Sequence, residues 1–233
     1  MTAPRLSLLP TLLLPLLLAA GLASCTDQQA KKPVPVEYMV TSPYPPGHVL
    51  AVAPAANLSG SRDFDPLVVS DTLYAEMQQV RGLTALPLNK TLLAMHKLNL
   101  RSINSPEAAE KVAAALNADG IIIPAITAYD PYNPPLVGMT LELYNVMPAS
   151  APGAMSPAAA DSAQPDLQVS AVFNATNESV LRELRDFAQG RTQADSAFGD
   201  QKFLVDSDAY MRFVCHAMVR RLMEVQRTRP SDR

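Results

Sequence analysis

Leu116-Asn117-Ala118-Asp119-Gly120-Ile121-Ile122-Ile123-Pro124-Ala125-Ile126 is the stretch on which the fold turns. Asp119-Gly120 stops a helical pattern, and the apolar, β-branched run through Ile126 reads as a strand covered on both faces. Such a strand belongs at the centre of a sheet with helices on either side. Immediately upstream, Ser105 is a helix N-cap and Pro106 suits the first helical position, where a missing N–H costs nothing. Ala109, Val112, Ala113 and Leu116 then form the apolar face of that helix.

Further upstream, Val49-Leu50-Ala51-Val52-Ala53 is a first strand ended by Pro54, with a polar turn at Asn57-Leu58-Ser59-Gly60-Ser61. Asp65 and Pro66 repeat the cap-plus-proline signal, and Val69, Leu73, Met77 and Val80 make one buried stripe. Leu83 to Leu88 reads as a short strand, and Asn89 as the cap of a helix through Leu98 that carries Leu92, Leu93 and Met95. Downstream, Tyr129 to Pro135 reads as a rigid aromatic loop. Met139, Leu141 and Leu143 alternate with Thr140, Glu142 and Tyr144, the period of a half-buried antiparallel strand. The Ala, Ser and Pro of residues 148–166 show no periodicity, which predicts a disordered hairpin tip. Leu167, Val169, Ala171 and Phe173 form the return strand. Thr176 would cap a helix bearing Val180, Leu181, Leu184, Phe187 and Ala188. Residues 190–201 read as polar loop, and Ser207 as the cap of a long final helix with Met211, Val214, Met218, Leu222 and Val225 in its seam. The expectation is an α/β fold of one compact domain, a three-layer-like mixed sheet with flanking helices in the order β-α-β-α-α-β-β-β-α-α, spanning residues 48–226.

The chain ahead of this domain decides the compartment. Arg5 precedes a short apolar core, Leu6 to Leu18, and then Leu22-Ala23-Ser24-Cys25. Residues 1–24 read as a signal peptide, too short for a comfortable membrane span. The last four residues resemble a bacterial lipobox, which implies diacylation of the Cys25 sulfur and anchoring through acyl chains worth about 0.8 kcal/mol per buried CH₂. Thr26, where an Asp would signal inner-membrane retention, resembles the pattern of outer-membrane lipoproteins facing the periplasm. Residues 25–47 carry Pro33, Pro35, Pro43, Pro45 and Pro46 and read as lipid anchor and extended tether, able to reach about 70 Å. Residues 227–233 read as a basic tail.

The Asn-Leu-Ser-Gly turn after the first strand, the Asn117-Ala118-Asp119-Gly120 step into the isoleucine run, and Tyr129 soon after resemble one group. The likeness, over roughly Val49 to Phe173, is to the periplasmic α/β domain of the curli-secretion lipoprotein, the Tol translocation protein's amino-terminal domain, FlgO-type flagellar lipoproteins and the lipoprotein activator of penicillin-binding protein. Pro124 and the Pro/Ala insert depart from that pattern. The resemblance implies a non-enzymatic role with envelope protein partners and carries no catalytic motif to transfer.

The chain's 233 residues hold 19 Lys+Arg against 22 Asp+Glu, so no basic excess exists to neutralise a nucleic acid, and nucleic-acid partners are not expected. Its 2 cysteines cannot build a disulfide framework. Phosphate-binding glycine loops, G-x-S-x-G, H-E-x-x-H and C-x-x-C are absent from the sequence. His48, His96 and His216 lie far apart, and adjacent helical residues such as Cys215 and His216 do not face one another. No metal, cofactor or catalytic residue is expected, and Cys215 reads as a small core residue. The sequons at Asn57, Asn89, Asn174 and Asn177 read as caps and turns. Arg220, Arg221, Arg227 and Arg229 read as a solvated basic end or as a contact to an acidic partner. The preferred partner-binding group is Tyr129, Asp130, Pro131, Tyr132 and Asn133 with Tyr144, since aromatics held by prolines lose little entropy on docking. Three functions stand: a lipid-anchored interaction or assembly module of the envelope; a ring-forming, homo-oligomeric secretion-channel subunit whose hairpin, 138–147 and 167–174, enters a membrane; and an enzyme whose site would draw on His48, His96, Asp63 or Asp65.

Overall fold

The computed structural model describes residues 40–146, 164–189, 191 and 199–229. Cys25, the tether up to residue 39, residues 148–163 of the insert and residues 230–233 lie outside them. The described residues form six strands and six α-helices: β1 (His48–Val52), β2 (Ala56–Asn57), α1 (Pro66–Met77), β3 (Leu83–Leu86), α2 (Leu88–Lys97), α3 (Pro106–Ala115), β4 (Gly120–Asp130), β5 (Leu136–Asn145), β6 (Leu167–Asn174), α4 (Glu178–Ala188), α5 (Lys202–Val205) and α6 (Ser207–Thr228). The sheet runs β3-β1-β4-β5-β6, with β2 also pairing β4. Strands β3, β1, β2 and β4 are parallel, and β5 and β6 continue antiparallel. This is the α/β order read from the sequence with two short additions, β2 and α5.

The isoleucine run is the central strand, and its alternation sorts the core into two layers. Ile122 and Ile126 join Leu50, Val52, Met139, Leu141 and Leu143 on the face packed by α1, α4, α5 and α6. Ile121 and Ile123 join Ala51 and Ala53 on the face packed by α2 and α3. The α1 stripe of Val69, Leu73, Met77 and Val80 is buried as expected, each side chain contributing about 1.5–3 kcal/mol. Pro124 does not end β4. It points the same way as Ile122 and Ile126, whose carbonyls accept from Ala53 and Leu58 at 2.8 Å. At Pro124 that side has no N–H to offer, and there the flanking chain leaves the ladder as Pro54-Ala55 between β1 and β2. The freed Ala55 N–H donates instead to Ser70 Oγ, 2.7 Å.

Asp119 and Gly120 stitch three strands together. The Asp119 N–H donates to the Val49 carbonyl and its own carbonyl accepts from Val146, both at 2.8 Å; its Oδ2 accepts from the Val49 N–H, 2.8 Å. A Cβ on Gly120 would lie 2.9 Å from the Tyr144 carbonyl and 3.0 Å from Leu50, so only glycine lets the strands close here. His48 stands beside this stitch, 3.6 Å from Asp119 Oδ2 and stacked on Tyr44 with ring centroids 4.0 Å apart.

Several local expectations are corrected. The caps shift by one or two residues. Pro87 precedes α2 without a side-chain cap, so Asn89 lies inside the helix. Asn177 caps α4 by accepting from the Ser179 N–H, while Thr176 bonds Asn174 instead. Asp206 caps α6 through two backbone N–H groups, placing Ser207 in the first turn. Residues 40–47, read as tether, are docked: Thr41 bridges Arg81, and Val40 and Tyr44 pack on the larger core. Strand β5 is buried on both faces, with Thr140 and Tyr144 enclosed as well as the leucines. Val225 is exposed because α6 outruns the core. The basic end is engaged: Arg220 and Arg221 meet Glu183 at 2.5 and 2.9 Å, and Arg227 donates to the Thr41 carbonyl, 2.9 Å. The hairpin strands considered for a membrane channel are both part of this packed sheet. No helix among the described residues is long and apolar enough to cross a membrane.

One carboxylate is buried in the core stripe. Glu76, 2% exposed, meets His216 Nδ1 at 3.1 Å and Arg191 at 3.6 Å, and Gln79 donates to it at 3.2 Å. Arg191 also lies over the Phe187 ring, 4.2 Å from its centroid. A buried charge is tolerable only with partners, and removing one side of such a group is costly. Glu76→Ala is expected to lower unfolding free energy by about 3 kcal/mol, with Glu76→Gln losing less; a urea midpoint unchanged in Glu76→Ala would show that the cluster contributes nothing net.

Burial depresses the His48 imidazole pKa, against an opposing pull from Asp119. The unfolded chain therefore takes up the proton first as pH falls, so the stability this residue allows is complete above the ordinary imidazole value and declines below it. Denaturation midpoints measured between about pH 5 and 8 are expected to slope upward with pH, and more weakly in His48→Gln. An identical slope in both proteins refutes the assignment to His48.

Candidate functional site

The expected aromatic group is divided between the two ends of the sheet. At the turn end, β4 runs on to Asp130, so Tyr129 and Asp130 are strand residues paired with Val137 and Leu136, and the loop is only Pro131 to Pro135. A bulge at Thr127 positions Tyr129: Ile126 faces Met139, Ala128 faces Gly138, and the extra residue reverses which side of the sheet the following residues occupy. Gly138 makes room for it, since a Cβ there would stand 2.6 Å from Thr127 Oγ1. Tyr129 thereby packs on the α1 and α6 side, its ring 4.8 Å from that of Phe64. Burial raises the Tyr129 phenol's pKa, partly offset by a hydrogen bond with Ser207 and reinforced by Asp208 and Asp63.

The turn is built by its own side chains. Asp130 Oδ1 accepts from the Tyr132 N–H, 3.1 Å, and the Pro135 carbonyl accepts from Ala175 at the end of β6, 3.0 Å. Between these two ties Tyr132 is 74% exposed, with Asn133 and Pro134 exposed beside it and Pro131 half-buried. Segments that meet this end add Leu58 and Val205, 67% and 69% exposed. Leu58 bonds Ile126 in β4, and Val205 lies two residues before Ser207, the hydroxyl that meets Tyr129. The segments that carry these apolar groups also hold Asp63, Asp65, Asp130, Asp206 and Asp208, with Arg62 and Lys202 as cations, and Asp63 and Asp208 act on the Tyr129 phenol. The result is an apolar and aromatic surface with an acidic rim.

Tyr144 is not part of it. It lies seven residues along β5 from Val137, about 24 Å away, and is 8% exposed in the smaller core. Its hydroxyl donates to Glu142, 3.1 Å, and burial first, then the Glu142 charge, push its pKa up to about 12. The residues named for an enzyme are not brought together either. His48 sits at the stitch, Asp63 and Asp65 at the opposite end, and His96 on the exposed side of α2. His216 serves Glu76. Cys215 is fully buried, which pushes its thiol pKa up, with Glu76 adding to the effect. No group of three or more ligating side chains with metal geometry occurs among the described residues.

Sequence reasoning passed over Phe64, Thr127, Leu58, Val205 and Glu76. Glu76 was detectable, since it falls on the Val69-Leu73-Met77 stripe at helical spacing. The bulge that aims Tyr129 had one signal, Gly138 in an otherwise apolar strand.

No protein-family model matches the chain, and no curated protein sequence matches it. Solved structures similar to it include lipoprotein GNA1162 from Neisseria meningitidis, 14% identical over 64% of this chain and 98% of that one, with a TM-score of 0.41. The C-terminal domain of LpoB from Salmonella enterica is 15% identical over 62% of this chain and 96% of its own, TM-score 0.40. The PelC dodecamer from Paraburkholderia phytofirmans is 12% identical over 82% and 96%, TM-score 0.38.

Proposed function

We propose that the protein is a lipid-anchored lipoprotein of the bacterial envelope whose folded domain docks an envelope protein and performs no chemistry of its own. The anchor is Cys25 in Leu22-Ala23-Ser24-Cys25, and Thr26, which lacks the Asp of inner-membrane retention, supports the periplasmic face of the outer membrane. The docking surface is the turn end, with Tyr132 at its centre and Tyr129, Asp130, Pro131 and Asn133 around it.

One observation carries this reading: the chain leaves the described domain at one end of the sheet and the exposed aromatic turn lies at the other. Val40 bonds Arg81 just before β3, and Arg227 near the end of α6 bonds Thr41 at the same end. Val146 and Asp166 meet at the far end of β5 from the turn, where Asp166 Oδ2 accepts from the Asn145 N–H, 2.6 Å. Val40, the first described residue, therefore lies at the end of the sheet away from Tyr132, and the exposed turn is free of these ties. An aromatic on a turn tied at both ends loses little freedom on docking, and its acidic rim suits a partner carrying Lys or Arg around an apolar centre.

Two measurements test the reading in a diderm bacterium producing the full chain. Wild type is expected in the outer-membrane fraction and Cys25→Ala in the soluble periplasm; identical fractionation removes the anchor. A photo-crosslinking residue at position 132 is expected to capture a defined envelope protein, and Tyr132→Ala to weaken that complex about tenfold or more, the scale of an interface hot spot, with an unchanged thermal midpoint. Equal affinity of the Tyr132→Ala protein for the captured partner would place docking elsewhere.

A further inference from the structure

The two edges of the sheet are treated differently. Edge strands expose unpaired backbone groups, and proteins guard them by shortness, proline, charge, bulges or cover. At the β3 edge the strand has four residues, Pro87 follows it directly, and the segment before it is bridged by Thr41. At the other edge β6 has eight residues, Leu167-Gln168-Val169-Ser170-Ala171-Val172-Phe173-Asn174. It holds no charge and no proline, and it pairs with β5 without a register shift.

The outward groups of β6 can be named. In an antiparallel ladder alternate residues direct their N–H and C=O to opposite sides. Ala175 donates to Pro135 on the β5 side, so the odd-numbered residues of β6 serve β5, and Gln168, Ser170 and Val172 turn theirs outward. Among the described residues no hydrogen bond reaches those outward backbone groups. On the α2 and α3 side of the sheet, where those helices do not reach β6, Gln168 and Ser170 are exposed and Val172 is 61% exposed.

We propose that the β6 edge is a homodimer interface, where β6 of a second copy adds antiparallel about a two-fold axis at Ser170 and joins two six-stranded sheets. The strand is complementary to itself in this register. On the uncovered face Ser170 meets the partner's Ser170, and Gln168 meets the partner's Val172. On the helix side Val169 meets the partner's Ala171, and Leu167 meets the partner's Phe173. No like charges oppose one another, and an uncharged strand gives a basic or acidic peptide no advantage over a copy of itself. Because one edge is open and the other guarded, self-pairing uses up the available edge and closes at two chains rather than growing into a filament. The interface lies along the side of the sheet, leaving the aromatic turn free. It requires neither the lipid anchor nor the docking reading.

The test uses the full chain, purified in detergent, with its protein mass measured by light scattering and sedimentation over a dilution series. Wild type is expected at the mass of two chains. Val172→Lys, at an exposed side chain that the fold does not need, is expected to halve that mass with an unchanged thermal midpoint. As a second readout, in a Cys25→Ala background that leaves only the buried Cys215, Ser170→Cys is expected to form a disulfide-linked dimer on mild oxidation, whereas the background protein and Thr84→Cys on β3 are not. A single-chain mass for wild type throughout the series, a dimer that survives Val172→Lys, or assemblies larger than two chains would each overturn the proposal.

Discussion

The mutual bonding of Asp119 and Val49 is the constraint on which the rest of the sheet depends. Two bonds of 2.8 Å, one through the Asp119 N–H and one to its carboxylate, lock the first residues of β1 to the start of β4. Gly120 then lets the β5 backbone close to a distance that any side chain would forbid. With these two residues in place, the register of β1, β4 and β5 is fixed at one end. The side-chain alternation of β4 up to the bulge at Thr127 follows from it: even positions supply the layer under α1 and α6, odd positions the layer under α2 and α3. A one-residue slip would exchange those layers and bury the wrong set. The Asp-Gly step that stops α3 in the sequence is therefore also the step that assembles the sheet.

Much of the fold was legible because each element carried several signals that agree. The Asp65-Pro66 and Ser105-Pro106 pairs start α1 and α3 where expected, and the buried stripes follow helical spacing. The Asn-x-Ser/Thr sites at 57, 174 and 177 act as turn formers, each asparagine accepting from the N–H two residues on. Caps shifted where two candidates stood side by side. At Thr176-Asn177 and Asp206-Ser207 both residues can cap, and the choice depends on where the chain must enter the helix to meet Phe173 and Tyr210, which no local pattern reports. The short elements β2 and α5 were illegible because they exist through tertiary contact: β2 is defined by pairing with Ala125 and Ile126, and α5 by Phe203 packing against Phe187.

The candidate site was half legible for a different reason. Tyr129 and Tyr144 look alike in sequence, each near a strand end and among polar neighbours. Strict alternation along β4 would have put Tyr129 on the α2 and α3 side, with Ile121 and Ile123. The bulge at Thr127 moves it to the other side, against Phe64 and Ser207, and a single inserted residue leaves no periodic trace. Tyr144 meanwhile keeps regular alternation and is drawn under α3. The residue that remains at the surface, Tyr132, is there because Asp130 and Pro135 hold the turn on either side of it.

The positions of the chain exits and of the open edge then give the domain a direction. The ties among Val40, Arg81, Thr41 and Arg227, and between Asn145 and Asp166, gather the first described residues, the two sides of the insert and the end of α6 around the stitched end of the sheet. The turn end is free of them and carries the exposed apolar side chains. The β6 edge runs between the two ends, so a partner on the turn and a strand on the edge would occupy separate surfaces. That separation lets one domain hold two kinds of contact at once.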